Sequence, residues 1–439
     1  MKSMKKLASV LLMSSMTLTA LAGCGQDKVQ DQTVGGTSTD SKKDVAITIL
    51  NSKGEIQEGL ETIAERYESK TGVDIEVIPC ASGESPFQKI SSMYSAGTPP
   101  TLAILDTTDV KAIGEEKGID LSNEEWVKEM GGSELTINGK VYSFPLCIEG
   151  RGIIYSKTAI EETLGRAFDP ATINSYDALK AIFEELRSKG MEYPIVVSKE
   201  DWSLGAHQLQ YVYETKDQTE GWIEVIDQLK AGDLKLADYP RFEQFMQTFD
   251  LLKEYNINNP EPLAASYEQD PIYLAEGEAA FWMNGSWAWP NIVDAGGEEN
   301  EYGFIPYVLG NDTNDFANNQ IQASASKQVM IDKEKATEDE IQAAKDFLNY
   351  LVYDEEGQKG LVEECNLIPV AANNTNELND QLGNAIRAAR GEDKTFVASA
   401  IVPGDHWAVL GAQMQKYMAD KSTKQDLAKS IEDYWLAQK

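Results

Sequence analysis

Histidine occurs only twice in 439 residues, as His207 and His406, and cysteine only four times. Two imidazoles argue against a His-built zinc or iron centre. The cysteines Cys24, Cys80, Cys147 and Cys365 contain no C-x-x-C pair and no regular framework. Leaving Cys24 aside for the reason given below, the other three read as small buried apolar residues rather than as disulfide partners or nucleophiles. Basic residues are scarce as well, with 39 Lys+Arg against 72 Asp+Glu and a formal charge of −33. So acidic a surface repels nucleic acid and anionic headgroups alike. No G-x-S-x-G, H-E-x-x-H or P-loop pattern occurs, so no catalytic residue, metal or cofactor is assigned. No solenoid-length repeat is visible.

The amino terminus carries the first positive signal. Lys2, Lys5 and Lys6 precede an apolar run from Leu7 that is broken by Ser and Thr and ends in small residues. This pattern reads as a secretory signal and not as a membrane span. Its ending, Leu-Ala-Gly-Cys, resembles the lipobox of bacterial lipoproteins, which implies a signal at 1–23 and acylation of Cys24. Cutting there removes three lysines and no acid, taking the formal charge from −33 to −36. Residues 25–44 are polar, rich in Gly, Ser, Thr and Gln, and without apolar period, so 24–44 reads as a lipid-anchored flexible tether.

Beyond the tether, strand and helix patterns alternate. "VAITIL" (Val45 to Leu50), "VDIEVIP" and "TLAILD" (Thr101 to Asp106) read as strands, and "EIQEGLETIAERYESKTG" as an amphipathic helix closed by Gly72. This order predicts a parallel α/β sheet. Ligands of such sheets gather beyond the carboxyl ends of the strands, which makes Asn51 and Asp106 candidate rim groups. Thr172 to Gly190 predicts a helix capped by Ser175 that leads into the strand-like "YPIVVS", and so a second α/β lobe. Thr337 to Glu364 and the final "KQDLAKSIEDYWLAQK" predict further surface helices.

Four stretches, "GTPPTLAILD" (Gly97 to Asp106), "GKVYSFPLCIEGRGIIYSK" (Gly139 to Lys157), "YLAEGEAAFWMNGSWAWPNI" (Tyr273 to Ile292) and "NLIPV" (Asn366 to Val370), resemble successive landmarks of the family 1 extracellular solute-binding lipoproteins of carbohydrate ABC importers, the maltose-binding protein being the best-known relative. The resemblance runs from about residue 45 to the carboxyl terminus. It implies a type II, periplasmic-binding-protein-like α/β fold of two discontinuous lobes, 45–148 with 306–350 and 149–305 with 351–439. Hinge crossovers are expected near Cys147 to Gly152, Phe304 to Val308 and Tyr350 to Asp354, closing over a sugar.

By that resemblance Trp287 of "NGSWAW" is the principal stacking residue. A sugar ring has C–H groups on its faces, which favour the negative face of an aromatic ring, and hydroxyls around its edge. Trp282 and Trp289 are read as either core or ligand contacts, Trp202 of "EDWSLG" as an aromatic at the lip, and Tyr267 as a further contact. Glu149 matches the acidic residue of the hinge segment, where a carboxylate can accept from two adjacent hydroxyls. Arg151 either fixes that carboxylate or donates directly. "PGDHWAVLGAQ" places Asp405, His406 and Trp407 where relatives carry aromatic contacts, and this departure turns the expectation from malto-oligosaccharides toward an α-galactoside or isomalto-type sugar. The implied partners are an oligosaccharide, an ABC permease and, through Cys24, a membrane, for a monomer on the outer face of a cell of Gram-positive type. A secreted glycosidase, or the same fold holding a polyamine or a peptide, stands as the alternative.

Overall fold

The apolar run after the tether folds as a strand, β1 (Ala46–Asn51), which pairs in parallel with β2 (Asp74–Pro79) and with β3 (Leu102–Asp106). This computed structural model describes residues 45–81, 84–214, 219–397 and 402–438. The signal, Cys24 and the tether lie outside the described residues. From Asp44 to Lys439 the chain forms one compact unit, and among the described residues no helix is long and apolar enough to cross a membrane.

The connecting helices follow their sequence signals. Helix Gln57–Thr71 buries Leu60, Ile63, Ala64 and Tyr67, the i, i+3, i+4, i+7 stripe of an element packed on one face. It stops at Gly72, whose φ of 78° is left-handed backbone that glycine adopts without a Cβ penalty. Helix Tyr176–Ser188 begins at Ser175, whose Oγ accepts from the Ala178 amide at 3.3 Å. Helix Glu338–Tyr353 opens with a reciprocal capping box between Thr337 and Glu340.

A short hairpin, β4 (Thr136–Ile137) with β5 (Lys140–Val141), precedes the long strand β6 (Phe144–Ser156). The remaining strands are β7 (Ile195–Val196), β8 (Phe281–Gly285), β9 (Tyr302–Ile305), β10 (Ile321–Ile331), β11 (Ile368–Pro369) and β12 (Thr395–Phe396). One sheet runs in the order β2-β1-β3-β10-β6-β8-β7. Its outer pairs β1·β2, β1·β3 and β7·β8 are parallel, whereas β3·β10, β10·β6 and β6·β8 are antiparallel.

Of the four apolar clusters among the described residues, the two largest are cores that hang on this sheet. The first gathers Ile49, Leu60, Ile104, Trp126, Phe144 and Phe347, and the second gathers Ile153, Phe183, Phe245, Phe281, Tyr307 and Trp435. Strand β6 belongs to both, contributing Phe144 to one and Ile153 to the other, with Cys147 to Gly152 lying between these residues. The return crossing is made by β10, which pairs with β3 through Lys327–Ile331 and with β12 through Ile321 and Gln322. The stretch expected to cross, Phe304 to Val308, stays with the second core, where the Val308 carbonyl accepts from Thr248 Oγ at 2.7 Å. Leu351, Leu361 and Leu367 lie in the first core, so the chain beyond Tyr350 does not leave that core at Asp354. Lys70 Nζ reaches Asp354 at 2.6 Å, which ties this segment to helix Gln57–Thr71.

Candidate functional site

The facing surfaces of the two cores carry aromatic rings on one side and charges on the other. Strand β8 ends at Gly285, and the 3-10 turn Ser286–Ala288 that follows turns Trp287 out of the sheet. A Cβ on Gly285 would fall inside the Trp287 ring, so this ring can seat only against a glycine. From Trp287 a continuous row of rings extends. His207 lies 4.7 Å away, Trp202 is 5.2 Å from His207, Tyr267 is 5.4 Å from Trp202, and Trp282 is 5.7 Å from Tyr267.

The members of the row are not equivalent. Trp282 is fully buried, and its Nε1 donates to Ser198 Oγ at 2.9 Å. Ser198 donates in turn to Asp270 Oδ2 at 2.6 Å, and burial pushes the Asp270 carboxyl up to about 7. Trp289 is buried in the same apolar cluster as Trp282. These two tryptophans are core. Trp287, Trp202, His207 and Tyr267 are half-buried and present ring surface, and the Tyr267 hydroxyl accepts from Asn284 Nδ2 at 3.1 Å.

The opposite face is built from the turn after β1 and from the two crossing strands. The Lys53 ammonium bonds to Glu149 on β6 and lies 2.5 Å from Glu55. Glu149 also accepts from Ser326 on β10. Beside them, Lys327 Nζ sits 2.7 Å from Asp106 Oδ1 and donates to Ser52 Oγ at 3.3 Å. The β6·β10 register shifts between Ser324 and Gln328, a bulge that re-aims side chains next to the site. Burial opposes the charge on Lys53, but the carboxylates of Glu149 and Glu55 outweigh it and hold Lys53 well above its ordinary value. Burial likewise works against Glu149, and Lys53 and Lys327 outweigh it and hold its carboxyl low.

Two candidates have partners of their own. Asn51 is fully buried and spends its amide on the turn, donating to the Lys53 carbonyl at 2.9 Å and to Gln57 Oε1 at 3.0 Å. It shapes the loop that delivers Lys53. Arg151 is buried beside Tyr211 and donates to Gln210 Oε1 at 3.4 Å, with burial lowering its affinity for the proton. It does not pair with Glu149. Asp109, a residue that the sequence pattern does not mark, is fully buried with neither carboxylate oxygen hydrogen-bonded; burial, followed by the neighbouring Asp106, holds its carboxyl well above the usual range.

The expectation for Asp405, His406 and Trp407 is corrected. His406 is fully buried among Tyr213, Tyr434 and Trp435, its Nε2 lies 3.0 Å from the Tyr213 hydroxyl, and burial pushes it down to about 3. Asp405 is exposed and accepts from Tyr434 Oη at 2.7 Å. The helix they open, His406–Met418, backs the π-helical turn Ser203–Gln208 that carries His207. A Cβ at Gly205 would collide with the Trp407 carbonyl, and one at Gly411 with the Asp201 carbonyl. This segment therefore sets the wall in place from behind.

Between Lys53, Glu55 and Glu149 on one side and Ser286, Trp287 and Pro290 on the other, with Asn366 to Ile368 closing the end, the cavity measures about 10 Å³. That is room for one water, so any larger occupant enters only when the walls part. This two-walled cleft, with strands β6 and β10 beside it, is the candidate site.

A family model described as "Bacterial extracellular solute-binding protein" matches residues 62–385. The chain belongs to this family. Among solute-binding proteins of known sequence, it is 23% identical over 325 residues to an uncharacterized ABC transporter extracellular-binding protein of Pyrococcus horikoshii, covering 70% of each chain. It is 27% identical over 313 residues to the multiple sugar-binding protein of Streptococcus mutans, covering 66% of this chain and 67% of that one. Two solved structures share the fold: RafE in complex with raffinose (TM-score 0.74, 19% identity, 90% of this chain and 99% of the other) and a Bacillus licheniformis sugar transporter in complex with stachyose (TM-score 0.70, 17% identity, 90% and 100%).

Proposed function

We propose that this solute-binding protein captures a neutral oligosaccharide between its aromatic and charged walls and delivers it to an ABC import permease. The observation that carries this reading is the row Trp287, His207, Trp202 and Tyr267, whose first ring lines the cleft opposite Lys53 and Glu149, charges that are already paired. Rings offer platforms to C–H faces, and the paired side chains retain lone pairs and protons for hydroxyls. Glu149 and Asp106 each hold a lysine, which disfavours a polyamine, since an added cation would have to displace one. A glycosidase would need a carboxyl held protonated at the cleft; the raised carboxyls Asp109 and Asp270 are buried and do not line it, and Glu149, which does, is held ionised. The raffinose and stachyose complexes of the structural relatives support an α-galactoside as the first ligand to try.

The lobes of this proposal are bounded by the crossings at β6, at β10 and after Leu367, and the walls close by hinging there. Acylation at Cys24 with the 25–44 tether would hold the body, as a monomer, at the outer membrane face.

The test is a titration of the body that follows Cys24 with raffinose, stachyose, isomaltotriose, maltotriose and spermidine, read by tryptophan emission and melting temperature. At 100 times Kd, a binder that ignores the unfolded chain adds about 2.7 kcal/mol, roughly 3 °C for a body of this size. A response confined to spermidine, or the appearance of shortened sugars, would replace the proposal with one of its rivals. Substituting Gly285→Ala should also weaken the responding sugar about tenfold, because the new methyl pushes Trp287 from its seat and overpacking costs about 1–3 kcal/mol. Unchanged affinity would mean that the ring is not held where the ligand meets it.

A further inference from the structure

We infer that His207 is the group in the aromatic wall that reads a ligand hydroxyl, a specificity role that rests on the oligosaccharide reading above. The residue sits on the π-helical turn Ser203–Gln208, with its ring 4.7 Å from Trp287 and 5.2 Å from Trp202. The indole N–H groups of Trp202 and Trp287 only donate and the Tyr267 hydroxyl already accepts from Asn284, so the imidazole is the group of the row with an acceptor nitrogen to spare. Its Nδ1 is sealed from solvent and has no hydrogen-bond partner in the protein. A buried polar atom left unpaired is costly, and proteins rarely leave one without a use. Single-turn π segments recur at functional sites because they re-aim a side chain that an α-turn would point elsewhere.

The support behind the ring is rigid. Gly205 and Gly411 let the π turn and helix His406–Met418 meet backbone to backbone, so His207 is fixed by main-chain packing and not by a mobile loop. The charged groups that reach the ring are Arg151 on β6 and Lys327 on β10, and both are cations. Burial first, and then those two charges, hold the imidazole well below its ordinary value, so it is neutral at neutral pH. A neutral imidazole offers one donor and one acceptor. A hydroxyl is the ligand group that can answer either nitrogen, by donating to one or accepting from the other. An ammonium could only donate, and it would meet the field of Arg151 and Lys327.

The experiment compares the parent body with His207→Phe and His207→Gln, using the sugar that responds in the titration above. Phe keeps the ring contacts with Trp202 and Trp287 and removes the nitrogens, whereas Gln restores a donor and an acceptor without the ring. The expected result is that His207→Phe melts within a few degrees of the parent without sugar but binds about tenfold more weakly, the scale of a lost buried hydrogen bond. His207→Gln should bind more tightly than His207→Phe, and the parent affinity should stay flat from pH 8 to pH 6. Parental affinity in His207→Phe overturns the assignment and leaves the oligosaccharide reading standing. If His207→Phe does not fold, His207→Gln decides: a loss there of a hundredfold or more overturns a hydroxyl-reading role. A parent silent toward every sugar overturns the oligosaccharide reading, and this assignment falls with it.

Discussion

Trp287→Ala should weaken oligosaccharide binding by roughly 30- to 100-fold, the scale of about 2–3 kcal/mol for a large ring removed from a contact, while moving the melting temperature of the free protein by only a few degrees. The separation of the two effects follows from where the ring sits. Trp287 is half-buried at the tip of the 3-10 turn after β8, seated over Gly285 and against His207, and it lines the cleft opposite Lys53 and Glu149. It contributes little to either core. Trp282, five residues earlier, supplies the contrast: fully buried and hydrogen-bonded to Ser198, its replacement by Ala removes core volume and leaves the Ser198–Asp270 pair exposed to a cavity. That substitution should cost about 3–5 kcal/mol of stability. Calorimetric titration of both variants reads the difference. A Trp287→Ala protein that binds its sugar like the parent would remove the aromatic wall from the site, and with it the main support for a sugar ligand.

The seventeen residues Glu276 to Ile292 show what a sequence can and cannot reveal. Their density of tryptophan beside glycine and asparagine marks a site, but the tryptophans at 282, 287 and 289 differ only in what the fold puts around them. Trp282 lies within strand β8 and faces the core, whereas Trp287 follows Gly285, where the strand ends. Periodic signals were legible: the stripe Leu60, Ile63, Ala64 and Tyr67, the stop at Gly72 and the caps at Ser175 and Thr337 all name their elements from local chemistry. The return crossing was not. Strand β10 reads Ile-Gln-Ala-Ser-Ala-Ser-Lys-Gln-Val-Met-Ile, with small and polar residues through its middle, because that stretch bulges at the cleft instead of filling a core. The apolar Tyr307 to Leu309 looks more like a crossing and packs instead with Phe245. His207 carries no site signal in the sequence for a related reason. A π turn has no periodic signature, and one histidine in Ser-Leu-Gly-Ala-His-Gln carries no motif until Trp202 and Trp287 are seen on either side of it.

Lys53→Met should destabilise the protein by about 3–5 kcal/mol at pH 7, roughly 4–6 °C, because it leaves the Glu149 carboxylate without its principal counter-charge in a site sealed from water. The pH dependence distinguishes this cause from lost packing. In the parent, Glu149 titrates lower when folded than when unfolded, so its contribution is present above an ordinary glutamate value of about 4.3 and is lost as pH falls through the folded one. Lys53 titrates higher when folded, so its contribution is full below about 10.4 and is lost as pH rises through the folded value. Together they give the parent a stability plateau between those limits. In Lys53→Met burial works against the Glu149 charge with only Lys327 and the Ser326 hydroxyl in opposition, so the folded carboxyl takes up its proton more readily than in the parent and the variant gains on the parent as pH falls. The gap in melting temperature should therefore narrow from pH 7 to about pH 4. Pairing the change with Glu149→Leu, which removes the stranded charge, should recover much of the loss at pH 7 while still impairing sugar binding, since the Lys53–Glu149 pair of the polar floor is then gone. A gap that stays constant with pH, and that Glu149→Leu fails to relieve, would show that the Lys53 stem, and not its charge, holds the turn after β1 in place.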